Sequence, residues 1–97
     1  MSEKKVYIAK ANNCIKIGNS IDPEQRIKEL QTGSPMKIEL HNIIETKELS
    51  MSAPQFEKLL HKSLKSYHKS GEWFEEEGLH FLYGFMKGVE VDFDMEL

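Results

Sequence analysis

One cysteine in 97 residues is the first constraint on this chain. Cys14 alone can make neither an internal disulfide nor a cysteine-based zinc site. Beside a turn, it reads as an incidental hairpin residue rather than a nucleophile. Long apolar runs are also missing. None approaches the ~20 residues needed to span a bilayer, and residues 1–5 lack the apolar segment of a signal peptide. A cytoplasmic location with no membrane partner is therefore expected. No repeat, low-complexity tract or linker interrupts the chain. Its length suits a single domain over 1–97, too short for an appended DNA-binding module. The core is expected over about residues 5–88, ahead of an acidic tail at 89–97. Positive charge is in deficit, with a net charge of −3, which argues against a simple nucleic-acid binder. The deficit is uneven. Residues 72–97 hold eight acids and one base, against eight acids and twelve bases in residues 1–71. A basic face toward phosphates and a solvating acidic end are both compatible with that split.

The most ordered pattern in the chain lies in residues 5–26. Val6 and Ile8 share one face of a first strand with Tyr7 on the other, and Ile15 and Ile17 do the same in a second, with Lys16 opposite. Asn12 and Asn13 lie between them, and Asn tolerates the positive φ of a hairpin turn. With that turn Ile8 pairs with Ile17 and Lys16 lies diagonal to Tyr7. With the turn at Ala11 and Asn12, Lys16 lies directly opposite Tyr7. Either register puts the phenol and the ammonium on one face.

Asp22, Pro23 and Gln25 then form a helix start, and Gly33 to Pro35 a stop. Ile27 and Leu30 turn inward, with Arg26 at the edge of the stripe. From the helix alone Arg26 reads as a solvated arginine near Asp22 and Glu29. Residues 36–44 alternate as a third strand, with His41 a surface residue on its polar side. Ser52 is a candidate N-cap for a helix reaching Tyr67 or His68, with Phe56, Leu60, Leu64 and Tyr67 as its core stripe. Glu57 and His61, four apart, share a flank of that helix. They form either a divalent-metal site with its neighbour or a surface pair worth a few tenths of a kcal/mol. Trp73 and Phe74 read as core aromatics. A last helix is expected over 75–87, with acids in its first turn, and Val89 and Val91 as a short strand or ordered end. The fold class is α+β: a small three-stranded antiparallel sheet flanked by helices, in the order β-β-α-β-α-α.

Taken in order, Val6-Tyr7-Ile8, Lys16-Ile17-Gly18, Arg26, Glu57, Leu60-His61 and Gly71-Glu72-Trp73-Phe74 resemble the GIY-YIG nuclease family. The likeness is closest to its small phage and meiotically-up-regulated-gene branch, where lysine commonly replaces the second tyrosine, as at Lys16. It covers about residues 5–75. The resemblance implies hydrolysis of DNA phosphodiester bonds with one divalent cation, Mg²⁺ or Mn²⁺, by a phage or mobile-element protein acting in host cytoplasm. In that scheme Tyr7 takes a proton from water, and Lys16 shifts its phenol toward ionisation. Arg26 holds the phosphoryl oxygens, Glu57 is the sole protein carboxylate on the metal, and His61 binds phosphate or positions water. Lys16, Arg26 and His61 are the substrate contacts. Target choice is expected from the chain's own loops, a homodimer or a host-protein partner. The alternative class is a non-catalytic GIY-YIG-like module that binds a nucleic acid, a nucleotide or a host protein.

Overall fold

The computed structural model describes residues 3–46 and 51–88, with side chains through residue 84. The sequence alternation forms a hairpin of β1 (Lys5–Ala11) and β2 (Cys14–Ser20). Its turn is Asn12-Asn13, with Asn12 at φ 59°, and Ile8 lies opposite Ile17. Tyr7 faces Gly18 and Lys16 faces Ala9, so the diagonal register is the one adopted. Helix α1 (Pro23–Thr32) follows, and its N-cap Asp22 accepts from the Gln25 backbone amide. β3 (Glu39–Ile44) then pairs antiparallel with the outer side of β1. Helix α2 (Ala53–Ser63) opens with a full capping box between Ser52 and Gln55, each side chain satisfying a backbone amide of the other.

The structure corrects the expected strand count. The sheet has five strands in the order β3-β1-β2-β5-β4, the extra two being β4 (His68–Ser70) and β5 (Trp73–Glu75). The second helix does not reach Tyr67. It stops at Ser63, a 3₁₀ turn occupies Lys65–Tyr67, and the chain turns at Gly71, whose φ is +54°. Glycine takes that left-handed conformation without steric cost. β5 then docks on β2, with Ile15 opposite Phe74 and Lys16 opposite Trp73. Three-residue strands are too short to show alternation, and the partner that stabilises them lies some 60 positions earlier. Helix α3 (Gly78–Gly88) starts later than the sequence suggests, and no acid lies in its first turn. Glu75 instead ends β5, and the Glu76 amide is tied to the Asn13 carbonyl. The expected strand at Val89 and Val91 and the acidic tail lie outside the described residues.

The even and odd positions of the hairpin divide the core in two. Val6, Ile8, Ile15 and Ile17 pack with Phe56, Leu60, Leu64, Phe74, Leu79 and Leu82 on the α2–α3 side. Tyr7, Ala9 and Ala11 pack with Ile27 and Ile38 on the α1 side, with Trp73 and Leu30 at the margin. His41, read from sequence as a surface residue, is half-buried, and its Nε2 lies 2.6 Å from the Tyr83 hydroxyl of α3. No helix among the described residues is long and apolar enough to cross a membrane.

Candidate active site at the open edge of β2

β5 flanks β2 only from Cys14 to Lys16, and the last contact along that edge is the Ile17 amide donating to the Glu72 carbonyl at 3.2 Å. Past Ile17, no strand among the described residues covers this side of β2. Side chains from both sheet faces can therefore meet around the edge. From the α1 face come Tyr7 and Lys16. From the α2 face comes Glu57, held by the Asn19 side-chain amide, which donates to its Oε1. Glu72 sits at the edge itself, just before β5.

Tyr7 is 1% exposed, and its ring lies against the backbone of Gly18. A Cβ at position 18 would fall 2.6 Å from the Tyr7 hydroxyl and 2.7 Å from Cζ, so a glycine there is a packing requirement. Burial pushes the phenol pKa up, the nearby Arg26 guanidinium pulls it down, and the Glu72 and Glu57 charges push it up again; the net shift is upward. This corrects the expectation that Lys16 would draw Tyr7 toward ionisation. The adopted register sets Lys16 opposite Ala9 rather than Tyr7. Its ammonium passes 5.8 Å from the Trp73 ring centroid to bind Glu72 Oε1 at 2.6 Å. The Lys16 side chain is 9% exposed and that of Glu72 is 43% exposed.

Arg26 keeps the solvated position beside Glu29 that the helix pattern suggests. It pairs with Glu29 across one helical turn at 3.3 Å, half-exposed, and lies close enough to Tyr7 to draw the phenol pKa down. It borders a groove of about 320 Å³ whose walls include Lys4, Asn19, Ser20, Ile21 and Gln25. His61 Nε2 lies 2.8 Å from the Ile17 carbonyl and 3.4 Å from Glu57 Oε2, with its ring edge against Phe74. A carbonyl only accepts, so Nε2–H is the donor, and this bond fixes the flank of α2 to the site end of β2.

Glu57 and Glu72 face each other with opposite shifts. Burial raises the Glu57 pKa, Asn19 offsets part of that rise, and Glu72 adds to it, leaving the net shift upward. Burial also disfavours the Glu72 carboxylate, but its hydrogen bonds to Lys16 and Glu57 outweigh this and hold it below its ordinary value. Glu57, His61 and Glu72 each offer a ligating atom, all within 4.8 Å of one another. The two neighbouring carboxylates suit a divalent cation, and His61 Nε2 would ligate it only on releasing its proton from the Ile17 carbonyl. The residues present thus fit a metal ion.

All five residues singled out from sequence, Tyr7, Lys16, Arg26, Glu57 and His61, border this edge. Two others were missed. Asn19 sits in a stretch that reads only as the link into α1. Glu72 was counted with the acidic end of the chain and quoted within Gly71-Glu72-Trp73-Phe74, but it was given no role in the site. Residues 4–89 match the profile of the T5orf172 domain. No curated protein and no solved structure matches the chain. With the profile covering most of its length, the chain belongs to the T5orf172 domain family, a nuclease-associated domain family.

Proposed function

We propose that this protein is a GIY-YIG-type endonuclease, dependent on Mg²⁺ or Mn²⁺, that hydrolyses DNA phosphodiester bonds. The observation that carries this reading is the meeting of Tyr7, Arg26, Lys16 and Glu57, drawn from two faces of the sheet and two helices, at the stretch of β2 that no strand among the described residues covers. A scaffold has no need to place a phenol, two cations and a buried carboxylate together. Arg26 donates to phosphoryl oxygens, for which its planar fork is suited. Tyr7 presents its hydroxyl to the attacking water, Lys16 counters charge on the phosphate, and Glu57 holds the cation. His61 keeps Glu57 at the height of the β2 edge and lies within reach of a phosphate. A cation bound at Glu57 would supply Lewis-acid charge to the phosphate and leaving oxygen, and would offset the carboxylate charges that add to the burial-raised pKa of Tyr7. Lys58, Lys62, Lys65 and Lys69 are exposed and follow the Glu57–His61 flank along the chain, suited to the nucleic-acid backbone. A phage or mobile-element origin and action in the host cytoplasm accompany this reading. Target choice then rests on the chain's own loops, a second copy or a host protein.

A second reading, a non-catalytic GIY-YIG-like binding module, has one observation in its favour: the Lys16 ammonium is already neutralised by Glu72. Supercoiled plasmid treated with the wild type and with Glu57→Ala, with and without Mg²⁺, separates the two. Metal-dependent nicking that the substitution reduces by roughly 10²-fold or more is expected. Nicking that survives Glu57→Ala would sink the assignment of Glu57. No nicking by folded wild type across several DNA forms would favour the binding module.

A further inference from the structure

We propose that Glu72 is the second carboxylate of the cation site and is shared with Lys16, so that loading the cation and freeing the Lys16 ammonium for a substrate phosphate are a single event. The inference rests on the nuclease reading and adds to it a residue and a coupling.

Lys16 cannot meet a phosphate as it stands. Its side chain is 9% exposed, and its ammonium is bound by Glu72 at 2.6 Å beside the Trp73 ring. A buried ammonium already paired with a carboxylate offers little field to an incoming anion. The pair must open before Lys16 can act on substrate. Glu72 is the member able to move away. It precedes β5 at a turn, one residue after Gly71, and its side chain is 43% exposed, while Lys16 is anchored within β2. It also lies on the side facing the cation: ligating atoms of Glu72, Glu57 and His61 are within 4.8 Å of one another. Glu57 is the deeper of the two acids, its side chain 11% exposed, and one of its oxygens is held by Asn19. An arriving hydrated ion therefore meets Glu72 first.

Charge balance supplies the coupling. In the resting site Lys16 is the permanent cation that balances Glu72, the acid beside Glu57. A divalent ion between Glu57 and Glu72 balances both, and Mg²⁺ commonly takes only one or two protein carboxylates, leaving its other positions to water and phosphate. Lys16 is then in surplus, on the same sheet face as Tyr7 and beside the Arg26 side of the site. The ammonium thus competes with the metal for Glu72 until the metal arrives, and afterwards serves the phosphate.

The test is Mn²⁺ binding to the full chain, followed by electron paramagnetic resonance and by calorimetry, with circular dichroism confirming the fold of each variant. Wild type is compared with Glu57→Gln, Glu72→Gln, Lys16→Met and the Lys16→Met/Glu72→Gln double variant. Glu72→Gln keeps an oxygen for Lys16 to donate to and is expected to weaken Mn²⁺ about tenfold. Lys16→Met removes the competitor and is expected to tighten binding severalfold. In the double variant that gain should vanish, since the shared group is gone. Should Glu72→Gln not fold, the Lys16→Met measurement alone reads the coupling. Affinity within twofold of wild type in Glu72→Gln, or no tightening in Lys16→Met, would overturn the proposal while leaving Glu57 as the metal ligand. So would a Lys16→Met gain that persists in the Glu72→Gln background, which marks a general field effect. Wild type that binds no Mn²⁺, or Glu57→Gln that binds as wild type does, would instead remove the metal reading, and this inference with it.

Discussion

On the α2–α3 side of the sheet, β1 and β2 present Val6, Ile8, Ile15 and Ile17, each with no measurable exposure, to two helices. On the α1 side the same strands present Tyr7, Ala9 and Ala11, with Lys16 and Gly18 across from them. One face is filled with branched aliphatics and anchors the fold. The other is floored by alanine and glycine, so that a phenol and a long ammonium side chain can lie along it. The period of two in a strand lets a single seven-residue segment perform both tasks. It also separates them. Mutations one position apart should damage different properties.

The largest effect should come from truncating the anchoring face. Phe56→Ala is expected to cost about 3–5 kcal/mol, as a large buried aromatic leaves a cavity. Urea denaturation measures this. Tyr7→Phe on the other face removes a single hydroxyl and should cost about 0.5–1.5 kcal/mol, while plasmid nicking falls by roughly 10²-fold or more. Equal stability losses in the two variants would erase the distinction between the faces. An intermediate effect is expected from Gly18→Ala. The added methyl would meet the Tyr7 ring at 2.6–3.0 Å, and such overpacking costs about 1–3 kcal/mol. Displacement of the ring should abolish nicking, measurable with the same plasmid; an alanine variant as active as wild type would show that the ring's position is unimportant.

The smallest effect is one of pH, at the edge where the two faces meet. Glu57 has a folded pKa raised above its ordinary 4.5. Its contribution to stability is therefore full below that value and is lost as pH rises through the folded value. Glu72 has a lowered pKa, so its contribution is present above 4.5 and is lost as pH falls through the folded value. Glu57→Gln should consequently gain stability relative to wild type as pH rises from about 4.5 toward neutrality. Urea unfolding of both proteins across that range measures it, and a pH-independent difference would show that Glu57 carries no raised pKa.

Much of this site was legible where the determinants are local. Alternation puts Tyr7 and Lys16 on one face in either register, and the structure selects the Asn12-Asn13 turn. Asp22 and Ser52 announce their helices as N-caps whose side chains accept from backbone amides three residues on. Helical spacing puts Glu57 and His61 on one flank, and their place in the site comes from the family resemblance. The determinants that escaped are non-local. Glu72 reaches the site only because Gly71 turns the chain and β5 pairs with β2, a contact across more than fifty residues that no local pattern reports. Asn19 becomes meaningful only when α2 brings Glu57 above it. The sign of the Tyr7 shift was misread for the same reason: the sequence shows the ammonium near the phenol but not the burial that raises the phenol pKa, nor the carboxylate that captures Lys16.

The contact between Tyr7 and Gly18 also bears on time. A tyrosine ring at a protein surface turns over within nanoseconds. Here the ring is 1% exposed and rests on the backbone of the neighbouring strand, so turning it requires β1, β2 and α1 to draw apart momentarily. The rate of that rotation is therefore a native clock for how often the hairpin breathes at the edge where Glu57 and Glu72 meet.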